Sequence, residues 1–166
     1  MRISGLCAAA MLATALPQPA DAADDFALER YFAGKTTATG HFGAINGTRR
    51  DFTVDLTGRW KGQTLTLRED FRFDDGSRDT KTWRFVKTGP GRYQGTREDV
   101  IGETEIRVSG KVATFSYLVD LDPSEKQNIV RFHDRMRLRP DGTVLNTALV
   151  TKFLFPVART RVAFSK

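Results

Sequence analysis

The sequence predicts an all-β protein: a single antiparallel β-barrel of about ten strands behind a short N-terminal helix. Three observations carry that reading. From Phe52 onward apolar and polar residues alternate, with Phe52, Val54, Leu56, Gly58 and Trp60 on one face and Thr53, Asp55, Thr57 and Arg59 on the other, the period of a strand wet on one side only. The runs are joined by short turn signals, Asp75-Gly76, Gly89-Pro90-Gly91, Ser109-Gly110 and Asp141-Gly142, whose chemistry suits hairpins. No second helix, long linker or repeat interrupts the succession, so the strands form one curled sheet or two packed ones. Closure is favoured because it removes exposed edges that invite aggregation.

At the start of the 166-residue chain, Arg2 precedes an apolar run from Ile3 to Leu16, then Pro17 and Pro19, then Ala20-Asp21-Ala22. A charged n-region, a hydrophobic stretch too short to span a bilayer and small residues at its end make residues 1–22 a signal peptide, cleaved after Ala22. A retained anchor is the alternative. Cys7, the only cysteine, sits too early and behind the wrong residues to be a lipoprotein cysteine, so lipid anchoring is not expected. The mature domain, residues 23–166, then has no disulfide, which for an exported chain points to a bacterial periplasm. A chain of this size buries roughly 68–70% of its unfolded surface, enough for a core without cross-links.

Asp24 and Asp25 are placed to cap a helix in which Phe26, Leu28, Tyr31 and Phe32 recur at helical spacing and which Gly34 ends, a plug or lid for one barrel end. Strands are then expected over Thr36–Ile45, Asp51–Trp60, Gln63–Phe73, Lys81–Lys87, Arg92–Asp99, Thr104–Val108, Val112–Leu121, Asn128–Arg139, Thr143–Phe155 and Val157–Ser165.

A few charged residues break the alternation. Glu69 falls on the face of Leu65, Leu67, Phe71 and Phe73; Arg97 and Asp99 continue the face of Tyr93 and Gly95; Asp134 lies on the face of Val130, Phe132, Met136 and Leu138; Asn146 and Lys152 share one side of an otherwise apolar run. A carboxylate in an apolar interior is driven to neutrality or to a partner. At least one of Glu69, Asp99 and Asp134 is therefore expected to pair with Arg97 or Lys152. The cluster reads either as an ionic lock or wetted mouth that fixes the barrel, or as the polar end of a ligand site.

Much catalytic chemistry is absent. With two histidines, His41 and His133, and one cysteine, no zinc site with His or Cys ligands can be assembled, and there is no nucleophile elbow, P-loop or dinucleotide fingerprint. No cofactor or metal is implied. His133 adjoins Asp134, but strand neighbours point to opposite faces. The net charge of +6 favours anionic partners. An outward row of Arg131, Arg135, Arg137 and Arg139, with Arg159 and Arg161, fits either solubility or contact with an anionic membrane surface. Nucleic acid is not expected, since no aromatic-and-basic motif accompanies the charge.

The stretches Leu28-Glu29-Arg30-Tyr31-Phe32-Ala33-Gly34, Arg50-Asp51-Phe52, Gly58-Arg59-Trp60, Leu67-Arg68-Glu69-Asp70-Phe71, Asp75-Gly76, Thr82-Trp83, Tyr93-Gln94-Gly95, Asp99-Val100-Ile101-Gly102, His133-Asp134-Arg135-Met136 and Lys152-Phe153 resemble, in order, the DUF3833 family of bacterial envelope proteins. The resemblance covers nearly all of the mature chain and implies a lipocalin-like β-barrel, often lipid-anchored, with no established activity and a weak genomic link to fatty-acid chemistry. Two departures stand out: there is no lipobox cysteine, and Arg135 stands where an aromatic is usual.

The leading expectation is a monomeric periplasmic barrel that binds or carries a lipid-like or other small hydrophobic ligand. Its apolar part would lie against Phe52, Leu65, Phe71, Trp83 and Phe132, and its polar end near Glu69, Arg97, Asp99, Asp134 and Lys152. A cofactor-independent acid–base enzyme is the second reading. The third is an envelope assembly factor with a fully packed interior.

Overall fold

In the computed structural model, which describes residues 25–121 and 128–166, the alternating runs become strands behind one short helix. Helix α1 spans Leu28–Phe32; the strands are β1 Gly34–Ala44, β2 Arg49–Lys61, β3 Thr64–Phe73, β4 Arg78–Gly89, β5 Arg92–Thr96, β6 Val100–Ile101, β7 Thr104–Ser109, β8 Val112–Asp120, β9 Ile129–Leu138, β10 Val144–Lys152 and β11 Phe155–Ser165. Pairing is antiparallel throughout. β1 joins β11 and β8 joins β9, so ten strands close into a barrel, with β6 a two-residue stub on β8. The expected fold class is found. The expected signal peptide with its cleavage point, Cys7 and Asp24 lie outside the described residues.

The pleat sorts side chains as the alternation predicts. Along β2, Phe52, Val54 and Leu56 are buried while Thr53, Asp55 and Thr57 are exposed. The outer face of β2 is therefore polar. No helix among the described residues is long and apolar enough to cross a membrane.

Helix α1 closes one barrel end. Its N-cap is Ala27, with no side-chain cap, so Asp25 does not cap it as expected. Anchoring comes instead from tertiary contacts. Phe26 N donates to Gly110 O at 2.9 Å, Tyr31 Oη donates to Phe164 O at 3.0 Å, and Glu29 accepts from both Lys87 Nζ and Tyr93 Oη. Gly58 allows the close approach: a Cβ there would sit 1.8 Å from Phe32 O.

Two expected strands are shorter than the alternation suggested. The run from Arg92 stops at Thr96, so Arg97 and Asp99 lie on the chain beyond β5. The run Thr143–Phe155 is broken by a two-residue hairpin turn, with Lys152 paired to Phe155 and Phe153 and Leu154 at φ 48° and 72°. Positive φ at both central residues marks the turn that normally selects Asn-Gly. Bulky side chains held there cost on the order of 1–2 kcal/mol each.

Candidate functional site

Inside the barrel lies a cavity of about 240 Å³, running from Leu28 and Phe32 at the helix end to Phe73, Asp79 and Lys81 at the other. It opens at the latter end, where Asp79 and Lys81 are in contact with solvent. Inward positions of adjacent strands make aromatic walls. Trp83 stacks on Phe85 (5.1 Å) and meets Tyr117 edge-on (5.2 Å), and Tyr117 stacks on Phe132 (5.4 Å). Phe52, Phe71 and Phe73 form a second group with ring centroids 5.7–5.9 Å apart.

The alternation-breaking charges converge in this interior. Arg97 lies over the Trp83 ring at 4.7 Å and over Tyr117 at 5.6 Å, a geometry that attracts a guanidinium to the ring faces. Its Nε and Nη2 donate to the two carboxylate oxygens of Asp99 at 2.6 and 3.2 Å, and Nη1 is 3.9 Å from Glu69 Oε2. Lys81 Nζ stands 3.6 Å from Asp99 and 3.2 Å from Asp79 at the mouth. The expected pairing of a carboxylate with Arg97 is thus present, through Asp99 by hydrogen bonds and Glu69 by charge alone.

Burial governs the protonation of the two inner acids. It lifts the Glu69 carboxyl to about 7; Arg97 pulls it back, while Asp99 and Asp134 push it further up. Burial lifts Asp134 to about 6 against the opposing pull of Asn146, Tyr117 and Arg97. Burial works against the charge on Arg97, but Tyr117, Glu69 and Asp99 together hold its pKa above the ordinary value. Asn146 Nδ2 donates to Asp134 Oδ1. The Tyr117 hydroxyl is close enough to favour the ionised Asp134, yet no well-formed hydrogen bond reaches Oδ2.

Of the sequence-predicted residues, Glu69, Arg97, Asp134, Trp83 and Phe132 line the cavity, and Asp99 holds Arg97 from behind. Lys152 does not join them. Its Nζ donates to Asn128 Oδ1 at 3.3 Å at the barrel rim: Lys152 is the last residue of β10, and the cavity lining ends short of it. His133 is exposed, with its ring nitrogens 3.3 Å from Ser116 Oγ and Thr151 Oγ1. Among the described residues no group of three or more His, Cys, Asp or Glu is arranged to hold a metal.

Sequence reasoning missed Tyr117, Lys81 and Thr160, which also line the cavity. Tyr117 shares the inward row of Ala113, Phe115 and Val119 and reads as core unless its hydroxyl is counted. Thr160 is the polar interruption between Ala158 and Val162, and Lys81 begins the row of Trp83 and Phe85.

No curated protein matches the chain in sequence. Among solved structures, the barrel is similar to the S-type phycobiliprotein lyase CPES from Guillardia theta, at 10% identity over 89% of this chain and 96% of that one, with a TM-score of 0.57. It is also similar to a redesigned β-barrel, at 10% identity over 82% and 92% of the two chains, with a TM-score of 0.42. At such identity the likeness to the lyase is one of fold. Residues 6–166 match the family described as "Protein of unknown function (DUF3833)", and with nearly the whole chain matched, the protein belongs to that family.

Proposed function

We propose that this protein binds a small ligand with an apolar body and a polar end that donates hydrogen bonds. The observation that carries the proposal is a set of buried polar atoms without hydrogen-bond partners in the protein: Asp134 Oδ2, Asn146 Oδ1 and Thr160 Oγ1. In the barrel register Ala148 pairs with Asp134 on one side and Thr160 on the other, with Asn146 two residues before it on the same strand. The three groups therefore surround one small side chain on the cavity wall. Each unsatisfied buried group costs about 1–3 kcal/mol, which a donor from a ligand would recover.

Charge and size narrow the ligand. Glu69 and Asp134 line the cavity beside Arg97 and Lys81, whose charges are already matched by Asp99 and Asp79, so a hydroxyl, amide or cationic end suits the site better than a carboxylate. The cavity of about 240 Å³ exceeds the ~150 Å³ engineered cavity that holds benzene and falls below the ~300–1,000 Å³ of drug-sized sites. It accommodates a ring system or a short chain. A lipid would enter with one segment only. The export segment supports a periplasmic setting, and the fold shared with the phycobiliprotein lyase supports a barrel built to hold a ligand.

Trp83 in the wall gives a direct test. Naphthylmethylamine is expected to quench its fluorescence, with naphthoate binding about tenfold more weakly. Asp134→Asn should lower the amine's affinity about ten- to a hundredfold, the worth of one charged hydrogen bond, with no loss of melting temperature. No quenching by either probe, together with no small molecule retained in native mass spectra of the protein from its own host, would sink the proposal. The acid–base enzyme has one observation in its favour, a cavity carboxyl titrating near neutrality at Glu69, and predicts a processed rather than intact retained molecule. The assembly-factor reading required a filled interior, and the cavity counts against it.

A further inference from the structure

The exposed large apolar residues among the described ones gather at one end of the barrel, opposite α1. Phe153, Leu154 and Phe155 form the β10–β11 tip, Ile45 lies in the β1–β2 turn, and Leu121 and Ile129 flank the β8–β9 connection; Ile101 on β6 is at the same end. Leu154 is 94% and Phe153 81% exposed. The three tips are tied together. Ile45 N donates to Val157 O at 2.9 Å, joining the β1–β2 turn to the base of the Phe-Leu tip, and Lys152 Nζ reaches Asn128 Oδ1 at 3.3 Å, joining that tip to the β8–β9 connection.

Sterics make the tip unusual. Both of its central residues are in the left-handed region, where Asn-Gly would sit without strain and would also be more soluble. The chain instead holds a phenylalanine and a leucine there, projecting into water. Solubility does not account for that choice.

The outer face of β9–β11 carries charge of one sign. Arg131 pairs with Thr151, Arg159 with Leu149, and Arg135 and Arg161 flank Thr147, so these four arginines share the outer face of β9–β11 directly behind the tip. All four are exposed, and none forms an ion pair among the described residues. Of the described acids at the open end, Asp74, Asp75 and Asp79 lie on the β3–β4 side, and Asp120 ends β8 opposite Ile129. An apolar tip backed by a cationic face fits the boundary of an anionic bilayer, where hydrocarbon accepts the rings and head groups accept the guanidiniums.

We propose that the barrel docks on anionic phospholipid bilayers by its open end, inserting the Phe153–Phe155 tip with Ile45 beside it and laying the arginine face of β9–β11 against the head groups. This goes beyond the cavity reading and holds whether or not the cavity is filled.

The test is flotation or sedimentation of the purified protein with phosphatidylglycerol–phosphatidylethanolamine vesicles and, separately, phosphatidylcholine vesicles, at low salt. Strong preference for the anionic vesicles is expected. The double variant Phe153→Asn/Leu154→Gly keeps the turn and relieves its strain, so it should melt no lower than the parent while binding falls about tenfold or more, from the apolar area withdrawn. Arg131→Glu/Arg159→Glu should abolish the preference for anionic lipid. Equal binding by the tip variant, or no binding by the parent, overturns the proposal. So does a parent dimer that the tip variant converts to a monomer, which would make the tip a contact between copies of the chain. Probe binding at Trp83 is read separately and is expected to survive all of these variants.

Discussion

Replacing Glu69 with glutamine separates an ionic lock from a costly buried charge. The carboxyl, ordinarily near 4.5, is raised to about 7 in the folded protein. Between those values the folded state holds a proton that the unfolded chain has released, so stability falls as pH rises through the window and levels off above about 7. The gap corresponds to about 3 kcal/mol at ~1.36 kcal/mol per tenfold. Against this stands the attraction of Arg97, whose Nη1 is 3.9 Å from Oε2 without a hydrogen bond and whose charge remains matched by Asp99 at 2.6 Å in the variant. Glu69→Gln keeps the shape and removes the charge. It should therefore stabilise the protein by about 1–3 kcal/mol near pH 8 and change little near pH 5. Between about pH 6 and 7 the slope should largely vanish, and between about 4.5 and 6 it should about halve, because Asp134, raised from 3.8 to about 6, titrates over that range as well. Urea unfolding followed by tryptophan fluorescence at several pH values reads this directly. A variant less stable than the parent near pH 8, with the parent's slope intact, would show that Glu69 is a net stabilising partner of Arg97 and refute the reasoning.

Two further predictions concern the helix plug. An added Cβ at Gly58 meets the backbone carbonyl of Phe32 at 1.8 Å, whereas at Gly40 it meets the Phe52 ring at 2.2 Å; a ring can turn aside and a carbonyl cannot. Gly58→Ala should cost about 3 kcal/mol or more and Gly40→Ala nearer 1 kcal/mol by thermal melting, and equal costs would contradict the plug geometry. Burial opposes ionisation of Glu29, but hydrogen bonds from Lys87, Tyr93 and its own backbone outweigh it and lower its pKa, so its contribution is present above 4.5 and fades as pH falls below. Glu29→Gln should cost about 1–2 kcal/mol and speed amide exchange over Leu28–Phe32 near neutral pH; unchanged exchange would mean the helix is held by its apolar contacts alone.

The barrel was legible because a strand with one dry face writes its period into the sequence, and because Gly76, Gly91, Gly110 and Gly142 mark turns at positive φ that only glycine adopts freely. What escaped was set by contacts distant in sequence or by turns without the usual residues. Phe153-Leu154 carries no turn signal, so the strand was read through it. Arg97 and Asp99 were placed on the inner face by continuing a strand that stops at Thr96, yet they enter the interior anyway, drawn by the faces of Trp83 and Tyr117. Lys152 keeps the inward parity of β10 but is its last residue, at the rim, where its amine meets Asn128 instead of the cavity. The inner acids Glu69 and Asp134 were found because a carboxylate among phenylalanines is conspicuous in any frame. Tyr117 and Thr160 were not, because an aromatic or a threonine among apolar neighbours is ordinary core.

Apolar residues of similar volume would give a more stable barrel than Glu69, Arg97 and Asp134 do, since buried charges rarely repay their desolvation. The placement of these groups argues against stability as their reason. A lock needs mutual satisfaction, and Arg97 with Asp99 achieves it by two hydrogen bonds. Glu69 takes no hydrogen bond from Arg97, and Asp134 leaves one oxygen unpaired beside Asn146 and Thr160. The complete pair and the incomplete groups share one interior: Glu69 lies opposite Lys81 in the register, Asp134 between Phe115 and Ala148, and both line the void with Arg97. One ion pair is closed on itself, then, and the incomplete acids leave acceptors facing a space that a donor from outside the chain could fill.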